Sequence, residues 1–365
     1  MKKKIKYENL GQLAQYRDRL YVEPNLVYLF FEITDSCNMA CIHCGSCASS
    51  HNKNFLKLED IKPVLESVAE RYDPEKIMVC LTGGEPLLHP EFFQIAKCAT
   101  DFGFMCGITT NGTLIDENKA QKIKEAGICS IGISLDGTEE SHDWFRQSKG
   151  SYQKTINGIE NLKSIYSNKL ALQVTTVVHK GNIHQLDDIY NVLLTKTIDS
   201  WRIINIDPIG RAEEHAELLL DKEDFTYVLK YIRDKRFSNE TPFHITYGCS
   251  HYLGYEFENE VRDYYFICGA GTLVGSVLCN GDIYGCLDIE RRPELVQGNI
   301  FEDDFADVWE NKFKEYRFDR TVSCSECMAC SEREYCKGDS MHTWNFDGNA
   351  PKICYNKIIK TKEEF

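Results

Sequence analysis

Between Leu26 and Ala212, short apolar runs alternate with longer stretches whose apolar residues recur every three or four positions. Val27–Ile33, Ile77–Leu81, Met105–Thr109, Ile128–Leu135, Leu172–Val178 and Trp201–Ile206 read as strands. Glu59–Arg71, Pro90–Asp101, Glu117–Glu125, Ser151–Ile165 and Ile183–Leu194 read as helices; in the first, Ile61, Val64, Leu65 and Val68 form one apolar face. Six strands alternating with helices imply a parallel sheet with right-handed crossovers. Six are too few to close an eight-unit barrel, so the expected α/β fold is an open, partial (β/α)6 TIM-like barrel. Asp221–Asp234 reads as a connecting helix. From about Val261 onward, short strands, a turn at Asn280-Gly281 and dense cysteine indicate a small, metal-organised C-terminal domain. The expected division is an N-terminal extension over 1–26, the barrel over 27–212, a connector over 213–260 and the C-terminal domain over 261–365.

Each strand runs directly into a polar or glycine-bearing loop: Thr34–Cys44, Thr82–Pro86, Thr110–Gly112, Asp136–Gly137, His179–Asn182 and Asp207–Arg211. Parallel α/β folds build their sites at the carboxyl ends of strands, so the chemistry gathers on one rim. The formal charge of −14 disfavours nucleic acid as a partner, because that affinity rests on Lys and Arg releasing counterions. No run of about 18 apolar residues is present, so no membrane partner is expected. The basic start, Met1–Lys6, lacks the apolar core of a secretory signal, and a cytoplasmic location is expected.

Seventeen cysteines are too many for an ordinary core in a reducing compartment, and their clustering points to metal or catalysis. Cys37-x3-Cys41-x2-Cys44 lies in the loop leaving the first strand. Three thiolates can hold three irons of a cubane and leave the fourth iron open to a small-molecule chelator. Zinc is the structural alternative, with His43 or Cys47 as fourth ligand. Cys80, Cys98, Cys106 and Cys129 fall in the core pattern and read as small buried hydrophobes.

Together with Gly83-Gly84-Glu85-Pro86 and Ser134-Leu135-Asp136-Gly137, the three-cysteine motif resembles the radical S-adenosylmethionine (SAM) superfamily over about Leu26–Ala212. The resemblance implies a [4Fe–4S] cluster on Cys37, Cys41 and Cys44 that binds SAM and cleaves it reductively. It also implies that the backbone of Gly83 and Gly84 and the side chain of Glu85 hold the SAM amino group. Ser134 would contact the ribose, Arg146 the carboxylate, and Asn111 would line the rim. His43 stands near the adenine, where the superfamily usually has an aromatic residue. Plain readings stand beside two of these: a surface arginine for Arg146 and a simple turn for Asn111-Gly112.

Cys268-x12-Gly281-x4-Cys286, then Cys324-x2-Cys327-x2-Cys330-x5-Cys336 and Cys354, resemble the SPASM extension of such enzymes, which carries one or two auxiliary [4Fe–4S] clusters. Gly298-Asn299-Ile300 and Phe305–Trp309 resemble it too. The family pattern places a fourth cysteine where this chain has Ser340, and Cys324 is the candidate replacement. The expected assignment puts Cys327, Cys330, Cys336 and Cys354 on an outer cluster, and Cys268, Cys286 and Cys324 on an inner one with an open iron. Cys249 and Cys279 are reserve ligands, and a zinc ribbon is the alternative for the C-terminal group.

The resemblance implies a peptide-modifying maturase, an oxidoreductase abstracting hydrogen from a ribosomally made peptide or a protein. The expected outcome is an intrapeptide thioether or carbon–carbon crosslink. Alternatives are Cα epimerisation, for which Cys249 or Cys279 would donate hydrogen, and formylglycine formation in sulfatases. The sulfatase-maturing pattern has an aspartate directly after the cysteine corresponding to Cys286; here Leu287 follows and Asp288 comes next. An iron–sulfur protein serving only electron transfer is the non-enzymatic alternative. The segment before Val27 is too short for a leader-binding domain, so the leader is expected on the barrel and SPASM surface or on a separate leader-binding protein. A flavodoxin- or ferredoxin-type protein is the expected electron donor.

Overall fold

A computed structural model describes residues 7–166, 170–238 and 240–359, except the side chains of residues 7–9, 255 and 256; the basic start Met1–Lys6 lies outside the described residues. Six parallel strands appear in chain order: β1 (Tyr28–Thr34), β2 (Met78–Gly83), β3 (Met105–Thr110), β4 (Ser130–Ser134), β5 (Ala171–Val178) and β6 (Ser200–Asn205). The alternation that marks them has a physical origin. Val79 and Leu81, Ile131 and Ile133, and Leu172 and Val174 are buried, whereas Cys80, Ser130, Gly132 and Ser134 are partly exposed. One face is covered by helices, and the inner face of the barrel stays accessible.

The helices of seven or more residues are α1 (Tyr7–Leu20), α2 (Leu58–Arg71), α3 (Phe92–Asp101), α4 (Glu117–Glu125), α5 (Glu139–Phe145), α6 (Ser151–Ile165), α7 (Leu186–Leu194), α8 (Lys222–Phe237), α9 (Gly254–Val261) and α10 (Phe305–Asn311). Sequence periodicity places α2, α4 and α6 within one residue of their observed ends. Ile183–Gln185 forms a 3-10 turn ahead of α7, and α3 starts at Phe92 rather than Pro90.

The sheet does not stop at six strands. β7 (His244–Tyr247) pairs in parallel with β6, and β8 (Val274–Val277) pairs in parallel with β1 on the opposite side. β9 (Asp282–Tyr284) and β10 (Gly298–Asn299) then add antiparallel strands, giving the order β10-β9-β8-β1-β2-β3-β4-β5-β6-β7. The segment between barrel and cysteine-rich region thus supplies a seventh helix–strand unit, α8–β7. Four-residue strands carry too few alternations to register as a period, so only tertiary pairing reveals them.

One apolar core runs from Leu26 and Leu29 through Trp201 to Val277, Trp309, Tyr316 and Met341. The C-terminal residues are tied back elsewhere too. Arg71 at the end of α2 pairs with Asp304 (3.2 Å), Asp307 (2.5 Å) and Glu310 (3.4 Å) around α10. Arg17 of α1 donates to the carbonyls of Tyr335 (2.7 Å) and Glu334 (2.5 Å), beside Cys336. Among the described residues, no helix is long and apolar enough to cross a membrane.

Candidate functional site

The three cysteines of the first motif lie on the loop after β1, with Cys37 and Cys41 buried and Cys44 partly so. Three neighbours pin this loop. At the end of β2, the amides of Gly84 and Glu85 each donate to it, at 2.8 Å, to the carbonyls of Thr34 and Ser36. From α5, the Phe145 carbonyl accepts from the Ile42 amide at 3.0 Å. From the loop after β6, Arg211 donates to the carbonyls of Cys41 (2.7 Å) and Ala48 (3.0 Å).

This packing gives Gly83 and Gly84 a different reason from the one the sequence suggested. A Cβ on Gly83, at φ +146°, would lie 2.1 Å from the Thr34 carbonyl oxygen, and one on Gly84 would lie 2.2 Å from that of Ser36. The glycines therefore let β2 approach the cysteine loop, not only a ligand. Glu85 is fully buried and engaged within the protein. Its oxygens accept from Thr110 Oγ1 (2.7 Å), the Leu87 amide (3.1 Å) and the Asn111 amide (2.8 Å). That carboxylate braces the ends of β2 and β3. Asn111 is buried and donates to Asn38 of the cysteine loop at 2.8 Å; Ser134 ends β4 partly exposed.

Arg146 is buried, which removes the surface reading. Its Nε donates to Asp136 at 2.5 Å, and Nη1 lies 3.7 Å from Cys41 Sγ. Burial alone would raise the Asp136 carboxyl, but Arg146 and the nearby imidazoles of His43 and His142 hold it down at about 2. His43 stacks on Phe145, with centroids 4.3 Å apart, and Phe145 stacks on His179 at 4.1 Å. Burial and the Arg146 charge push His43 down to about 3, so this wall beside the cysteines is flat and uncharged. Its Nδ1 is buried without a hydrogen-bond partner among the described residues. The other zinc-ligand candidate, Cys47, is exposed, at φ 51°.

The donor set fits the implied group. Burial pushes the Cys37 thiol up to about 12, so its sulfur becomes a thiolate only where a cation replaces the proton. Arg146 supplies positive charge to the thiolate side. The C-terminal cysteines repeat the arrangement: a buried Arg320 lies beside Cys268 and Arg17 beside Cys336. Arg320 Nη1 and Arg17 Nε are buried with no hydrogen-bond partner among the described residues. Buried guanidinium groups with unmatched N–H suit anionic, thiolate-held clusters.

Those cysteines fall into two neighbourhoods. Cys286 neighbours Cys268, while Cys327 neighbours Cys324, Cys330 and Cys354, and Cys336 neighbours Cys354. Cys324 Sγ accepts from the Cys327 amide at 3.5 Å, which sets Cys324 beside Cys327 of the outer group. The Met341 amide donates to Cys268 Sγ at 3.5 Å, so Ser340 sits next to the inner pair, buried, with its hydroxyl turned to the Ser250 carbonyl. Among the four cysteines read as small core hydrophobes, only Cys106 is fully buried. Cys80, Cys98 and Cys129 are partly exposed, and Cys80 lies on the accessible inner face of β2.

Cys249 and Cys279 lie just past the carboxyl ends of β7 and β8, at the two flanks of the parallel strands. Cys279 lies beside Glu32, which accepts from its amide at 3.2 Å and pairs with Arg291 at 3.1 Å. Burial and then Glu32 push its thiol up to about 12. Cys249 is buried within a polar network that the motifs did not reveal: Asp207, His251, Asp339, His342 and Tyr355. Asp207 begins a rim loop in the sequence, and that was the only signal of it.

Comparison with known proteins agrees with this geometry. Residues 31–193 match the Radical SAM superfamily, and residues 268–331 match SPASM, an iron–sulfur cluster-binding domain. The AdoMet-dependent heme synthase of Methanosarcina barkeri is 27% identical over 326 residues, covering 84% of this chain and 89% of that protein. The mycofactocin maturase MftC of Mycolicibacterium smegmatis is 25% identical over 330 residues, covering 88% and 80%. Streptococcus suis SuiB bound to S-adenosylmethionine superposes with a TM-score of 0.74 at 17% identity, over 96% of this chain and 82% of that one. Native anSMEcpe with bound AdoMet and Cp18Cys peptide gives 0.72 at 21%, over 92% and 94%.

Proposed function

This chain is a radical SAM enzyme with a C-terminal SPASM domain, and on that premise we propose that it abstracts hydrogen from a ribosomally made peptide and closes an intrapeptide thioether or carbon–carbon crosslink. When bound, the cluster on Cys37, Cys41 and Cys44 and its SAM supply a 5′-deoxyadenosyl radical. Gly83 and Gly84 hold the root of the cysteine loop, Arg146 balances charge at Cys41, and the His43–Phe145–His179 stack walls the site against water.

The observation that carries the peptide reading is the inner cysteine pair. Ser340 occupies the place beside Cys268 where the SPASM pattern has a cysteine, which supports a coordination position left for a substrate sulfur. The displaced aspartate, Asp288 after Leu287, supports crosslinking over formylglycine formation. The likeness to peptide-bound anSMEcpe and to SuiB, whose structure is known with precursor peptide SuiA, supports a rim wide enough for an extended chain.

Co-expression with a short peptide encoded beside the gene, followed by mass spectrometry, tests this. The crosslinked product lacks the mass of two hydrogens and resists fragmentation inside the ring. Unchanged mass with solvent deuterium at Cα establishes epimerisation instead, for which Cys249 or Cys279 would be the hydrogen donor. An aldehyde captured by a hydrazide establishes formylglycine. A second reading, heme synthesis, draws on the full-length similarity to AdoMet-dependent heme synthases. Tetrapyrrole binding followed by Soret absorbance, with no peptide turnover, would favour it.

A further inference from the structure

The loops leaving β6 and β7 and the segment after Cys336 bring metal-binding side chains to one buried point that neither cysteine cluster uses. The carboxylate of Asp207, the thiol of Cys249 and the imidazole of His251 are all buried and offer donor atoms within 4.8 Å of one another. His251 Nε2 lies 2.9 Å from Asp207 Oδ2, and His342 Nε2 lies 3.1 Å from the same oxygen. Asp207 Oδ1 is occupied by Asn205 Nδ2 at 2.9 Å and by the Tyr355 hydroxyl, so Oδ2 alone faces the histidines.

Two further features distinguish this from an ordinary hydrogen-bonded cluster. His251 Nδ1 faces Asp339 Oδ2 at 3.2 Å, the carboxylate–imidazole contact that fixes a metal-binding tautomer and turns a bare Nε2 inward. A neutral imidazole has one donor and one acceptor nitrogen, yet His251 has a carboxylate oxygen on each side. Positive charge is needed here, since buried carboxylates persist only when paired or coordinating; a proton on His251 or a metal ion between the groups supplies it. A proton on His251 would satisfy the carboxylates and leave the Cys249 thiol donating to the Asn205 carbonyl at 3.7 Å, whereas a metal ion would engage the carboxylate, the imidazole and the sulfur together. Thiolate, imidazole and carboxylate converging at about one tetrahedral site is the donor chemistry of zinc.

We propose that Asp207, Cys249 and His251 bind a single Zn²⁺ with a fourth position for water, with His342 supporting Asp207 and Asp339 orienting His251 from behind. The site joins the β6 and β7 rim loops to the C-terminal segment that carries Ser340. It would hold the auxiliary cysteines at a set distance from the rim, and it removes Cys249 from the candidate hydrogen donors.

The test uses the full chain, reconstituted anaerobically with iron and sulfide, given ZnCl₂ and desalted. Elemental analysis should find about one zinc per chain, and zinc-edge X-ray absorption should show a single sulfur at about 2.3 Å with nitrogen or oxygen at about 2.0 Å. Cys249→Ser and His342→Ala should each lower zinc retention against a chelator at least about tenfold, in line with losing a ligand or its support, with iron unchanged. These two variants suffice if His251→Ala does not fold. Zinc below about 0.2 per chain, an all-sulfur shell, or full retention in both variants would overturn the site. Failure of the SPASM reading would appear separately, as loss of iron.

Discussion

The guanidinium of Arg146 links Asp136 to the first cysteine motif: Nη1 lies 3.7 Å from Cys41 Sγ while Nε is held by Asp136 at 2.5 Å, with all three residues buried. Removing one member of a buried pair leaves an uncompensated charge. Arg146→Leu should therefore destabilise the fold by about 3–5 kcal/mol in chemical denaturation. The double variant Arg146→Leu/Asp136→Asn should recover part of that loss. Equal stability of the single variant and wild type would show that the pair carries no energetic weight.

Cys41→Ala should abolish 5′-deoxyadenosine formation after reduction while leaving the auxiliary iron in place. Product chromatography and iron analysis on the same anaerobic preparation check both halves. Undiminished SAM cleavage would remove the Cys37–Cys44 assignment.

Three cubanes require about 12 irons per chain, and the Cys37/Cys41/Cys44 triple alanine should keep about 8. Because Ser340 sits beside Cys268, Ser340→Cys should slow the loss of inner-site iron to a chelator. Because Cys324 lies against Cys327, Cys324→Ala distinguishes the two neighbourhoods. If it leaves about 12 irons bound, Cys324 supports the outer group without ligating the inner cluster. Wild-type loading near 8 would mean that the serine has cost a cluster.

Gly84→Ala would drive a Cβ to 2.2 Å from the Ser36 carbonyl, where only backbone movement can relieve it. A loss of about 1–3 kcal/mol is expected, with reduced iron at the first site, since the same carbonyl anchors the cysteine loop. Gly11→Ala in α1 meets nothing within 4 Å among the described residues and serves as the contrast. It should be neutral or stabilising by up to about 1 kcal/mol.

The sequence by itself determined the parallel strand–helix alternation and which loops form the rim, because both depend on local periodicity. It also determined the radical SAM and SPASM motifs, whose chemistry requires given residue types at short spacings. Tertiary structure alone decided the rest. β7 and β8 are too short to show a period and exist because β6 and β1 offer free edges. The glycines of the second motif proved to be constrained by a neighbouring loop that no local pattern names. Cys324 is as near to Cys327 in sequence as a ligand pair would be, but which group it joins depends on how the chain folds back. Asp207, His251 and the neighbouring pair Asp339 and His342 lie far apart along the chain and share no motif. They meet because the C-terminal segment closes over the barrel's rim, and burial then forces their charges into one compensated group.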